Sequence, residues 1–180
     1  MKFKLNPKLQ AAWPATLLML VMAIGVGVGA LLWWLLPWLG GDYATTPEFR
    51  GMELAEIAII NDLGERVELE VRIADEPAEQ LAGFQHIGRR VIARSAILFV
   101  FPEPIRGRFH MRNVVAPLDI AFFAADGRVL AVMRMEPGSE LYGPDGPFQY
   151  ALETAAGRLE RLHISPAGSR LLVRSIPSGG

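Results

Sequence analysis

The chain has 180 residues, 51% of them hydrophobic, with eighteen basic and nineteen acidic side chains and no cysteine. The missing cysteine excludes disulfides, thiolate catalysis, covalent c-type haem attachment and cysteine-ligated zinc. Beyond residue 41 the charges are fifteen arginines against nineteen acids, a balance that gives no support to nucleic-acid binding, which calls for a basic excess.

No charged side chain occurs between Lys8 and Asp42, and Leu17 to Leu36 contains nothing polar. At 1.5 Å of rise per residue, about 20 apolar residues cover the ~30 Å hydrocarbon core of a bilayer. The pattern predicts a cytoplasmic tail over 1–12 and a transmembrane anchor helix over 13–39. Lys2, Lys4 and Lys8 precede the span, while Asp42 and Glu48 follow it, which places the N-terminus inside and the remainder outside, in the periplasm of a bacterial inner membrane. Trp13 at one end and Trp33, Trp34 and Trp38 at the other suit interfacial belts. The apolar run is longer than that of a secretory signal. Cleavage after Val28-Gly29-Ala30 would leave an exposed Leu-Leu-Trp-Trp terminus, so an uncleaved anchor is expected. Gly25 and Gly29 form a small-xxx-small notch against which a second membrane helix could pack, although glycine is also simply common in such helices.

Residues 40–53, with two glycines and Pro47, read as a short linker before a single domain over 54–176. Leu54–Ile60, an Asn61-Asp62-Leu63-Gly64 turn and the alternating Val67, Leu69, Val71 and Ile73 predict a hairpin with one buried face. Asp75-Glu76-Pro77 marks a helix start running to about Gly83. Ala96–Phe101, apolar on both faces, predicts a central strand halted by Pro102 and Pro104. Strands at Phe109–Met111 and Leu118–Ala124 follow, the latter joined through Ala125-Asp126-Gly127 to Val129–Met135, a strong hairpin signal. Pro137 to Pro147 reads as an extended loop. Phe148–Glu153 and Leu171–Ile176 supply closing strands around a short helix near Gly157–Leu162, and residues 177–180 form a tail. The fold class is therefore mostly β, a small antiparallel barrel or rolled sheet with one or two short helices, plus one N-terminal transmembrane helix.

The run Phe109-His110-Met111-Arg112-Asn113-Val114-Val115-Ala116-Pro117-Leu118-Asp119-Ile120-Ala121-Phe122 resembles the central signature of the DUF192 family, small domains of unknown function. Ala74-Asp75-Glu76-Pro77 with Glu79-Gln80 and Gly83-Phe84, Leu98-Phe99-Val100-Phe101, and Tyr150-Ala151-Leu152-Glu153 followed by Gly157 resemble its flanking motifs in the same order. The resemblance spans about Leu69 to Ile176 and implies the family's small β domain. Where members read Phe-Trp-Met-Lys-Asn-Thr, this chain has His110, Arg112 and Val114 at the tryptophan, lysine and threonine places. Met111, Asn113, Pro117, Leu118, Asp119 and Glu153 keep the pattern.

His110, Arg112, Asn113, Asp119 and Glu153 form the candidate polar cluster. One reading is a pocket in which Arg112 and His110 meet anionic groups of a ligand oriented by Asp119; the other is a salt bridge and turn cap fixing the barrel. No nucleophile elbow, phosphate loop or metal-ligand spacing appears: His86, His110 and His163 lie far apart, and no cofactor is called for. Leu141, Tyr142 and Phe148, on the proline-stiffened loop, are candidate protein-contact residues. Two functions are expected from these features. One is a non-catalytic accessory subunit whose anchor and outer domain bind a larger inner-membrane complex of respiratory or photosynthetic type. The other is a tethered small-ligand-binding module or enzyme using the Arg112/Asp119 region.

Overall fold

The computed structural model describes residues 41–176. The tail, the anchor helix expected over 13–39 with Gly25, Gly29 and the four tryptophans, and the tail at 177–180 lie outside the described residues. Among the described residues no helix is long and apolar enough to cross a membrane.

The segment expected to be a linker is folded onto the domain. Thr46 caps a five-residue helix, α1 (Pro47–Gly51), its hydroxyl accepting the Phe49 amide at 3.2 Å. The reason is hydrophobic: Phe49 and Met52 are buried, the Phe49 ring lies 5.9 Å from that of Phe84, and the Arg72 guanidinium stands over it at 4.5 Å from the ring centre. Upstream, Gly88 and Arg90 donate their amides to the carbonyls of Ala44 and Asp42 at 2.9 and 3.0 Å. A Cβ at Gly88 would overlap the Asp42 backbone, so that contact requires glycine.

β1 (Glu53–Ile60) and β2 (Arg66–Ala74) form the expected hairpin, with Ile57 opposite Leu69. α2 (Pro77–Ala82) begins with a capping box between Glu76 and Glu79, and a further turn of helix, α3 (Arg89–Ile92), follows it without having been expected. β3 (Ala96–Ile105) passes through Pro102 and Pro104 instead of stopping. The prolines mark an irregularity between Val100 and Ile105 where the ladder with β8 (Phe148–Ala155) loses register. β4 (Phe109–His110) pairs with β7 (Leu141–Tyr142), so the expected long loop carries a two-residue strand. β5 (Leu118–Phe123) and β6 (Val129–Met135) turn at Asp126-Gly127, and β8 (Phe148–Ala155) pairs with both β3 and β5. After α4 (Arg158–Arg161), the expected closing strand shrinks to β9 (Arg170–Leu171) followed by a 3₁₀ turn (Val173–Ser175).

The main sheet has the order β6-β5-β8-β3-β2-β1-β9, antiparallel except for the β2–β3 pair. It curls until its edges meet. Leu171 of β9 donates its amide to the Gly127 carbonyl at 2.8 Å, and Arg128 forms a bridge with Arg170. Gly127, at φ +83, sits where a Cβ would overlap the Leu171 carbonyl oxygen. This half-closed sheet covers its own edges, as small β domains must.

Both faces of the sheet are buried. One carries an aromatic core in which Phe122 and Phe148 meet edge to face at 4.9 Å, under the side chains of α1, α3 and the β4–β7 ribbon. The other is mainly aliphatic, built from residues such as Ile57, Leu69, Leu98 and Leu152 with Leu159 of α4. This division into two faces sorts the polar residues of the candidate site.

Candidate functional site

Asp119 and Glu153 sit on adjacent strands, but the register separates them. Asp119 lies opposite Thr154, and Glu153 opposite Ile120. Because successive side chains alternate across a sheet, Asp119 belongs to the aliphatic face and Glu153 to the aromatic one. No guanidinium bridges the pair, and the five-residue polar cluster expected from the sequence is not assembled.

Asp119 finds its cation across the hairpin. Arg134 Nε donates to Asp119 Oδ1 at 2.6 Å, and the Leu159 amide approaches Oδ2 at 3.4 Å. The carboxylate in turn holds the Arg134 guanidinium above its ordinary pKa, chiefly through that hydrogen bond. This is a structural tie between β5, β6 and α4. Arg112 is exposed, and among the described residues it forms no ion pair. Asn113, also exposed, takes the left-handed conformation at φ 61, tolerable for asparagine, and its carbonyl accepts the His86 amide at 2.9 Å. It shapes the turn after β4 and does not enter a pocket.

Glu153 has no such partner. It is 4% exposed, and among the described residues nothing donates a hydrogen bond to its carboxyl. Burial alone pushes its pKa up to about 8, so the group is largely protonated at neutral pH. It lines a cleft of about 450 Å³ bounded by α2, the irregular half of β3, and β4. Phe99, Phe101, Phe109 and Phe148 supply aromatic walls, with Phe99 and Phe109 edge to face at 5.0 Å. Gly83, at φ +47, turns the chain over the carboxyl, and a Cβ there would lie 3.6 Å from Glu153 Oε2. The Gln80 amide donates to the Val100 carbonyl at 3.0 Å and anchors α2 to β3.

His110 lines the same cleft, and its Nδ1 is buried without a hydrogen-bond partner. Two of the sequence candidates, His110 and Glu153, therefore do converge. Arg108 stands at the mouth with Nη1 donating to the Gly143 carbonyl at 2.9 Å. Among the described residues no group of His, Asp and Glu is placed to hold a metal ion. Of the loop candidates, Leu141 is exposed, Tyr142 folds its hydroxyl back against the Glu136 amide at 3.1 Å, and Phe148 is wholly buried in the aromatic core. Phe148 is thus a core residue and cleft wall, not a surface contact.

The aromatic walls were not singled out in the sequence. Phe99 and Phe101 are two apart on β3, which marks them for one face, but the meeting of that face with Phe109 depends on the β4–β7 ribbon.

Two solved structures resemble this domain. A protein of Sinorhizobium meliloti, named as a candidate transcription regulator, is 27% identical with a TM-score of 0.63, the match covering 69% of this chain and 97% of that one. A protein of unknown function from Novosphingobium aromaticivorans is 28% identical with a TM-score of 0.60, covering 71% of this chain and 90% of that one. No curated protein matches the chain. The model of the DUF192 family, described as an uncharacterised ACR, matches residues 58–172. That match covers more than half of the chain, which belongs to the DUF192 family.

Proposed function

We propose that this protein is a membrane-tethered periplasmic domain that binds a small molecule in the cleft between α2, β3 and β4. The observation that carries the reading is the Glu153 carboxyl, buried and unpaired at the cleft wall. Burying such a group without a partner costs several kcal/mol, on the order of 2–7 for a neutral polar group by transfer measurements. A fold with no use for it is better served by an apolar side chain. The cleft volume falls within the usual range for small-molecule sites, and its lining is largely apolar with few polar groups. The regulator name attached to the Sinorhizobium protein does not fit this acidic, arginine-only domain as a nucleic-acid binder.

A test is fragment binding to the full-length chain in detergent micelles, read by NMR. Ligands are expected to perturb Phe109 and His110, and Ala82→Phe, which adds a ring to the cleft wall, is expected to abolish those perturbations while leaving the spectrum folded. Fragments that never perturb the cleft, or that bind equally well to Ala82→Phe, would remove the reading.

A second reading keeps the same tether but makes its helix the working surface, so that the protein is an accessory subunit of a larger inner-membrane complex. The wholly apolar run from Leu17 to Leu36, with Gly25 and Gly29 inside it, favours this. Co-purification with a membrane complex, lost when both glycines become leucine, is its expected signature; a chain that always runs alone counts against it.

A further inference from the structure

We infer that the ligand of this cleft is an organic cation, an ammonium group carried on an apolar or aromatic body, whose charge is received by Glu153 and His110. The inference rests on the cleft being a binding site and assigns the chemistry of its occupant.

Three observations converge. First, nothing among the described residues donates a hydrogen bond to the Glu153 carboxyl, and His110 Nδ1, on a residue that lines the same cleft, is buried without a partner; both can act as acceptors once Glu153 is ionised. An ammonium group brings the donors that both lack. Second, the walls are phenylalanine rings, whose faces attract cations and which cage ammonium ligands in many sites. Third, Glu153 is 4% exposed, so water contributes little to stabilising its negative form. A cation in the cleft supplies that stabilisation directly.

The other charged or titratable side chains around the cleft are His110 on β4 and Arg108 just before it; α2 contributes Gln80 and Leu81, and β3 contributes Phe99 and Phe101, none of them charged. Arg108 is exposed, so its repulsion of an incoming cation is screened by solvent and salt.

Binding then has a defined proton balance. Below the Glu153 midpoint the carboxyl is protonated in the empty cleft, and an ammonium ligand expels that proton to the buffer as the ion pair forms. Affinity for a cation should rise by up to about tenfold per pH unit until the carboxyl is ionised in the empty protein. A neutral ligand that accepts the carboxyl proton in a hydrogen bond should show the reverse, weakening as the pH passes about 8.

The experiment is titration calorimetry of the full-length chain in detergent micelles with three probes of one shape: phenethylammonium, phenethyl alcohol and hydrocinnamate. Runs at about pH 7 and about pH 8, in buffers of differing ionisation enthalpy, count the protons released. The ammonium is expected to bind at least about tenfold more tightly than the alcohol at the higher pH, with close to one proton released at the lower, and hydrocinnamate to bind least. Glu153→Gln is expected to erase both the preference and the proton release while keeping the circular dichroism of the folded chain. If the alcohol matches or exceeds the ammonium and Ala82→Phe still blocks it, the cation assignment fails and the binding site survives. If no probe binds, or if all bind Ala82→Phe as well as the native chain, the binding site itself is refuted along with its ligand.

Discussion

Asp119 and Glu153 are both 4% exposed and stand on neighbouring strands of one sheet, yet they live in opposite chemical circumstances. On the aliphatic face Asp119 has a guanidinium at 2.6 Å and an amide near its second oxygen; on the aromatic face Glu153 has neither. The paired acid ties β5, β6 and α4 together. The unpaired acid is largely neutral at pH 7 and leaves an unmet bonding capacity beside an open cleft. The contrast teaches that burial of a carboxylate marks nothing by itself, and that the absence of its counter-ion is the informative feature.

Substitutions at the two acids should therefore move stability in opposite directions. The largest effect is expected from Glu153→Gln. The folded pKa of Glu153 lies above its ordinary 4.5, so folding takes up a proton between those values. Stability from this group is complete below about pH 4.5 and is lost as the pH rises to about 8. The glutamine variant lacks this slope and should be more stable above pH 8 by on the order of 3 kcal/mol, while matching the native protein within about 1 kcal/mol at pH 5. Chemical denaturation followed by circular dichroism is the suitable readout, since all four tryptophans lie before residue 41, outside the domain's sequence.

Asp119→Asn should instead destabilise at every pH above the carboxylate range, by about 2 kcal/mol, because it weakens the Arg134 pair while the half-exposed guanidinium can return to water. Arg134→Gln is expected to cost about the same and to do something further. It leaves Asp119 buried without a cation, so the variant should acquire a new decline in stability with rising pH, resembling that of Glu153. If Arg134→Gln shows no added pH dependence, the two acids are less different than their surroundings indicate. The smallest change belongs to Arg112→Ala. The side chain is exposed and unpaired among the described residues, so stability should stay within about 0.5 kcal/mol of native by the same denaturation assay.

Much of the architecture was readable from local pattern. Alternation in Val67–Ile73, the Glu76-Pro77 helix start and the Asp126-Gly127 turn all fell where short-range physics places them. Phe49 and Met52 gave a fair signal that residues 47–52 would fold back, but two glycines and a proline nearby resemble a linker equally well. The candidate site was harder because it depends on register. Counting outward from a two-residue Asp126-Gly127 turn sets Asp119 against Arg134, its observed partner, because the wider turn that pairs Ala124 with Arg128 is offset by the bulge between Phe122 and Phe123. The pairing of β5 with β8, distant in sequence, decides which face Glu153 occupies, and no local signal fixes it. His110 and Glu153 line one cleft, whereas Arg112 and Asp119, grouped with them in the sequence, lie outside it.

The separation of the two acids can be tested without any ligand. A carbon-detected NMR titration of the Glu153 side-chain carboxyl in the full-length chain reads its protonation directly. A midpoint near 8 is expected for a buried, unpaired group at the wall of the cleft. A midpoint near its ordinary 4.5 would mean that water or a hidden partner reaches the carboxyl, and would contradict the contrast on which the proposed site stands.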